Sequence, residues 1–222
     1  MVSCIVPAFN EGTRITEVLS VVVAHPLISE VIVVDDGSTD NTTEVVRQHP
    51  SICLITLSEN AGKSKAVMHG LIVAKSEFVM LLDADLQGVT KENITALIQP
   101  VLSGQVDLTI CKCANIGLIY RVFGLDIVSG ERVLPKKLID PLSLQNHGGF
   151  ELEAYMNNLI LQAGMSFRVV GWPNVFNPKK FEKFGWREGL NRGIIARKQM
   201  MKVYGNLRGA IRQYFRMQSA RV

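Results

Sequence analysis

The segment Met80-Leu81-Leu82-Asp83-Ala84-Asp85-Leu86-Gln87 constrains this chain more than any other: an apolar run stops at two carboxylates spaced i, i+2 and a carboxamide. A short apolar run of this kind reads as a buried strand. Side chains two apart on an extended chain leave on the same side, so the two carboxylates can share one hard cation. The same pair also suits a turn or a helix start. Two upstream runs favour the first reading. Val2-Ser3-Cys4-Ile5-Val6 ends in Pro7-Ala8-Phe9-Asn10-Glu11, and Val31-Ile32-Val33-Val34 ends in Asp35-Asp36-Gly37-Ser38-Thr39-Asp40. Three apolar strands that end in polar loops describe an open α/β sheet with a ligand crevice along its carboxyl edge.

The rest of the pattern alternates in the same way. Helices are expected near 12–24, 40–48, 62–74, 91–103 and 151–163, and further strands near 52–57, 77–82, 106–111 and 166–171. Strands separated by single helices imply right-handed crossovers and a parallel sheet in the first half. Residues 114–130 read as a mobile or acceptor-facing stretch, and residues from about 187 onward as a helical tail. A length of 222 residues with 47% hydrophobic content supports one catalytic domain over 1–178 and a tail over 179–222. That domain divides into a nucleotide-sugar half (1–90) and an acceptor-side half (91–178).

The net charge of +4 hides a division. Residues 179–222 hold 12 Lys and Arg against Glu182 and Glu188, net +10, which leaves 12 basic against 18 acidic groups, net −6, in residues 1–178. Arg208, Arg212 and Arg216 share one helical face, while Leu207, Ile211, Tyr214 and Phe215 fall largely on another. Such a helix suits an anionic membrane surface or an integral membrane partner, and equally suits packing on the acidic body. Nucleic acid is not expected as a partner, because no binding motif accompanies the charge. With the first strand at residue 2 and no apolar run near 18 residues, a cytoplasmic protein, peripheral at most, is expected. Cys4, Cys53, Cys111 and Cys113 fall in or beside strands and read as buried reduced thiols, the lone C-x-C lacking a second pair for zinc. His147 is the one histidine kept as a candidate ligand.

Val6-Pro7-Ala8-Phe9-Asn10-Glu11, Val34-Asp35-Asp36-Gly37-Ser38-Thr39-Asp40, Asn60-Ala61-Gly62-Lys63 and Leu82-Asp83-Ala84-Asp85-Leu86-Gln87 follow one another in order. In that order and spacing the chain resembles the inverting, GT-A-fold glycosyltransferases of family 2. Within them it is most similar to the dolichyl-phosphate (polyprenyl-phosphate) mannosyltransferase branch. Asp126 before Ser129-Gly130-Glu131-Arg132, and Phe150-Glu151-Leu152-Glu153, extend the likeness more loosely.

The resemblance implies an open, mainly parallel Rossmann-like sheet flanked by helices, a nucleoside diphosphate sugar donor and a divalent cation, Mg2+ or Mn2+. It implies Asp83, Asp85 and Gln87 as metal ligands, with Asp83 and Ala84 also against the donor. Pro7, Ala8, Asn10, Glu11 and Asp36 would line the base and ribose pocket, and Lys63 would reach the diphosphate. A cation in the first turn of a helix is electrostatically misplaced, which by itself favours a ligand role for Lys63. Asp35 reads as a structural strand-end residue and Asp40 as a helix cap.

Two acceptor chemistries remain open. A hydroxyl acceptor needs a general base, supplied by Glu151 or Glu153; a lipid phosphate is already a nucleophile and needs cations, Arg132 and Arg121, to position it. Both Glu151 and Glu153 also suit a helix start without any function. The Gln-x-x-Arg-Trp signature of processive synthases is absent, so single addition is expected, and a homodimer is a further candidate assembly. A nucleotidyltransferase is disfavoured because Pro7-Ala8-Phe9-Asn10-Glu11 is not a glycine-rich phosphate loop. A non-catalytic sugar-nucleotide-binding scaffold is the remaining rival.

Overall fold

The computed structural model describes residues 1–114, 129–146 and 151–178. Seven strands form one sheet in the order β3-β2-β1-β4-β6-β5-β7. They are β1 (Val2–Ala8), β2 (Ile28–Asp35), β3 (Ile52–Thr56), β4 (Phe78–Leu81), β5 (Leu108–Cys113), β6 (Arg132–Pro135) and β7 (Phe167–Trp172). β1 pairs in parallel with β2 and β4, β2 with β3, and β5 with β7, so the parallel first half expected from the βαβ pattern is present. Among the described strands β6 alone runs antiparallel, between β4 and β5.

Alternation along β1 explains the layering. Val2, Cys4 and Val6 pack into a core with α1 (Ile15–Val22), α2 (Thr42–Arg47) and α4 (Lys91–Leu102). Ile5 packs on the other face with α3 (Lys63–Val73) and α5 (Glu151–Gln162). Successive strand side chains point to opposite faces, so a strand buried on both sides must be apolar at nearly every position, as β1 is apart from Ser3 and as β2 is over residues 31–34. α4 starts at a reciprocal cap: Thr90 Oγ1 accepts from the Asn93 amide at 3.3 Å, and Asn93 Oδ1 accepts from the Thr90 amide at 3.0 Å.

Three expectations need correction. β6 was not anticipated, because four residues opening with an arginine and closing on a proline carry no strand period. Cys53 is exposed rather than buried, since edge strand β3 pairs only with β2 and turns alternate side chains to solvent. β4 ends at Leu81, and Ala84 and Asp85 lie in a turn beyond it, so Asp83 and Asp85 do not share one side of an extended strand. The basic tail, 179–222, lies outside the described residues. Among the described residues, no helix is long and apolar enough to cross a membrane.

Candidate active site

The first two loops of the carboxyl edge are tied to each other by their own motif residues. Asn10, at φ +56°, receives a hydrogen bond on Oδ1 from the Thr39 amide at 2.8 Å and donates its own amide to Ser38 Oγ at 2.9 Å. Asparagine tolerates that left-handed backbone better than most residues. The Glu11 amide donates to Thr42 Oγ1 at 2.9 Å, and the Gly12 amide to Asp40 Oδ2 at 3.1 Å. Asp40 Oδ1 also accepts from the Thr42 amide at 3.0 Å, which fastens the start of α2. Buried Asp35 accepts from the Ser38 amide at 2.9 Å and from the Thr43 hydroxyl, the structural role expected of it.

Asp36 reaches the next loop. Its two oxygens accept from the Ala61 and Gly62 amides, each at 2.8 Å, and burial pushes its carboxyl above the usual range against the pull of those amides. Gly37 permits the close approach: it has φ +70°, and a Cβ there would lie 2.5 Å from the Glu59 carbonyl carbon. Asp36, expected in the base and ribose pocket, thus has both oxygens engaged in holding the loop that delivers Lys63.

Lys63, the first residue of α3, joins two further elements. Its Nζ lies 2.6 Å from Asp83 Oδ1, just beyond β4, and 3.3 Å from Glu153 Oε1 on α5. Burial disfavours the ammonium, but the Asp83 and Glu153 carboxylates outweigh it and hold the Lys63 pKa above its ordinary value. Glu153 is 5% exposed, and its Oε2 has no hydrogen-bond partner. Gly130 backs onto the pair: a Cβ there would fall 2.6 Å from Lys63 Nζ. Four segments distant in sequence therefore converge on one ammonium, with Asp83 and Lys63 each keeping about 28–29% of their side-chain surface accessible.

Next to this cluster lie groups that sequence reasoning did not join to it. Glu131 is fully buried, and burial, followed by the Asp83 charge, pushes its carboxyl up to about 7. Cys111 and Cys113 are buried with Sγ atoms 3.7 Å apart. Arg132, expected to meet an acceptor phosphate, lies in β6 with no exposed surface, where Nη1 donates to Asn157 Oδ1 at 3.2 Å and Nη2 to the Ser129 carbonyl. Its guanidinium is part of the wall. The sequence gives no signal for this, because a charged residue inside a short strand looks identical to an exposed one.

The other expected site residues sit on the same edge. Pro7 and Ala8 end β1, Glu11 is buried and pairs with Arg14 at 3.1 Å, and Ala84 and Asp85 are buried after β4. Gln87 pairs its backbone with Phe176 in both directions at 3.0 Å. Arg121, Asp126, His147, Phe150 and the side chain of Glu151 lie outside the described residues.

A mainly parallel sheet with one inserted antiparallel strand, and an acidic cluster at its carboxyl edge, is the GT-A arrangement. The family model described as Glycosyl transferase family 2 matches residues 3–150, and the chain belongs to that family. Among curated relatives, a dolichyl-phosphate beta-glucosyltransferase of Trichomonas vaginalis is 40% identical over 100 residues, covering 39% of this chain and 29% of that protein. The undecaprenyl-phosphate 4-deoxy-4-formamido-L-arabinose transferase of Aeromonas hydrophila is 35% identical over 113 residues, covering 47% and 34%. The matched stretch therefore spans about a third of the length of these relatives. Among solved structures, glucosyl-3-phosphoglycerate synthase of Mycobacterium tuberculosis with phosphoglyceric acid shares the fold at TM-score 0.73 and 20% identity, covering 92% of this chain and 79% of that one. The same enzyme with Mn2+, UDP and glucosyl-3-phosphoglycerate matches at TM-score 0.71 and 19% identity, covering 92% and 80%.

Proposed function

We propose that the chain is a metal-dependent, inverting glycosyltransferase that moves a sugar from a nucleoside diphosphate sugar to a polyprenyl phosphate. The observation that carries this is Lys63 held between Asp83 and Glu153 at the carboxyl edge, against a glycine whose lack of a Cβ makes room for the ammonium. A diphosphate carries concentrated negative charge, and the ammonium is the group positioned to exchange a carboxylate partner for a phosphate oxygen. Asp83, Asp85 and Gln87 offer carboxylate and carbonyl oxygens, the donor set suited to Mg2+ or Mn2+. Such a cation supplies charge neutralisation for the departing nucleoside diphosphate.

The chain's own groups do the remaining work. Pro7, Ala8, Asn10 and Glu11 form one wall of the donor crevice, and Asp36 keeps the 60–62 loop against it. Arg132 acts as a positioning residue, holding the Ser129 carbonyl so that Gly130 stays against Lys63. A lipid phosphate brings its own nucleophilic oxygen and needs no base, which suits a site whose described carboxylate on the far side, Glu153, is paired with a lysine. The names of the sequence relatives support the polyprenyl-phosphate class. A peripheral position on the cytoplasmic face of a membrane, with the basic tail on anionic lipid, fits that acceptor.

The test is direct. The purified chain is incubated with Mg2+ or Mn2+ and a panel of UDP-, GDP- and dTDP-sugars, with thermal shift and donor hydrolysis as readouts, and then with a short-chain polyprenyl phosphate. Metal-dependent stabilisation by one nucleotide sugar and transfer to the lipid are expected. No stabilisation by any nucleotide sugar, with or without metal, sinks the reading; transfer to a soluble hydroxyl acceptor alone replaces the acceptor class.

A further inference from the structure

Behind the Lys63 cluster, β5 and β6 bury two thiols and a carboxylate together. Cys111, Cys113 and Glu131 are 0%, 2% and 0% exposed, and their ligand atoms all lie within 4.8 Å of one another. The amide of Asn177 adjoins them, with its nitrogen 4.0 Å from Cys113 Sγ and 3.4 Å from Glu131 Oε1. We propose that Cys111, Cys113 and Glu131 bind a zinc-type cation, with the Asn177 side chain closing the fourth position, separate from the oxygen-ligand site at Asp83 and Asp85.

Geometry separates this from the other uses of two neighbouring cysteines. Residues i and i+2 of a strand lie about 6.6 Å apart along its axis. A disulfide needs Cβ atoms roughly 3.5–4.5 Å apart, so this pair cannot bridge without bending β5. A tetrahedral ion with metal–sulfur bonds of about 2.3 Å instead holds its two sulfurs about 3.8 Å apart. The observed Sγ separation is 3.7 Å. In the same tetrahedron sulfur and carboxylate oxygen lie about 3.6 Å apart, so Glu131 needs to close by at most roughly 1 Å. Turning the Asn177 amide about its last torsion presents its oxygen where its nitrogen is now assigned, an exchange that heavy-atom positions alone do not distinguish.

Softness keeps the two sites distinct. Thiolates select zinc-type ions, whereas carboxylate and carbonyl oxygens select Mg2+ or Mn2+. The backbone shows what the ion would fasten. The Cys111 amide donates to the Glu131 carbonyl at 2.8 Å, and the Ala114 amide to the Val175 carbonyl at 2.9 Å. An ion on these ligands would add a cross-link between β5, the start of β6 and the Asn177 segment, and so fix Gly130 against Lys63.

The full chain, reduced and freed of metal, is titrated with Co2+ and then with Zn2+. One equivalent of Co2+ should give thiolate-to-metal charge-transfer absorption that one equivalent of Zn2+ abolishes, and Zn2+ should raise the melting temperature. Cys53→Ser should leave the band intact, Glu131→Gln should weaken Zn2+ affinity at least about tenfold, and Cys111→Ala/Cys113→Ala should remove both the band and the thermal shift. Absence of the band in the unaltered protein overturns the proposal whether or not the double variant folds. So does a band that survives in that variant. Co2+ held by Asp83 and Asp85 gives no thiolate band, so failure here is distinguishable from failure to bind a nucleotide sugar.

Discussion

From Asn10 to Gly62 the carboxyl edge is fastened by amides and hydroxyls given to side-chain oxygens, whereas from Asp83 to Glu153 it is held by one lysine among carboxylates. The first arrangement satisfies its polar groups internally and forms a finished wall. The second is a charge cluster whose ammonium can trade one anion for another, and charged partners in a partly buried site interact more strongly than neutral ones. Under the proposed donor placement, the contrast puts rigidity on the nucleotide side and exchangeable electrostatics on the diphosphate side.

Four substitutions set the two regions against each other. Asp85→Ala should lower transfer by roughly 10³-fold, about 4 kcal/mol of barrier, with little loss of melting temperature. If folding suffers instead, Asp85 belongs to the wall. Gly37→Ala should destabilise the fold by about 3 kcal/mol, because it combines a positive φ with a collision against the Glu59 backbone; urea unfolding measures it. A loss under 1 kcal/mol would mean that the wall yields. Lys63→Met leaves buried Glu153 without its cation, and should cost about 2 kcal/mol of stability together with most of the donor-induced thermal shift. A variant of unchanged donor response would detach Lys63 from the diphosphate.

Smallest is Asp40→Ala, which removes the acceptor at the start of α2 and should cost about 1 kcal/mol at neutral pH. Burial raises the Asp40 pKa, but the Thr42 hydroxyl and amide and the Gly12 amide outweigh it, so the folded value lies below 3.8. A carboxylate with a lowered folded pKa contributes stability above its unfolded value and loses it as pH falls through the folded one. The difference between Asp40→Ala and the unaltered protein should therefore shrink below pH 3.8, as acid melts would show.

Most of the sheet was readable because β1, residues 31–34 of β2 and β4 are largely buried on both faces, so their positions are almost all apolar and their ends are marked by Asn10, Asp35 and Asp83. β6 was not, because its place is set by pairing with β4 and β5 rather than by its own four residues. Lys63 announced itself as a cation at the wrong end of a helix. Glu131 and Arg132 could not, since burial of charge depends on partners brought from elsewhere, here Asn157 and Asn177. The cysteines were read by strand position and spacing, and neither has a term for a carboxylate arriving from the adjacent strand.

The reversed direction of β6 carries one further consequence. β5 is parallel to β4, so the chain leaves the sheet after Cys113 at the catalytic edge, and because β6 runs the opposite way it re-enters at that same edge through Ser129. Both ends of the connection between those points are therefore anchored at that one edge. Doubling the length of such a connection costs only about 0.6 kcal/mol in closure entropy. The connection can thus be lengthened or replaced while every strand register beneath it is inherited unchanged.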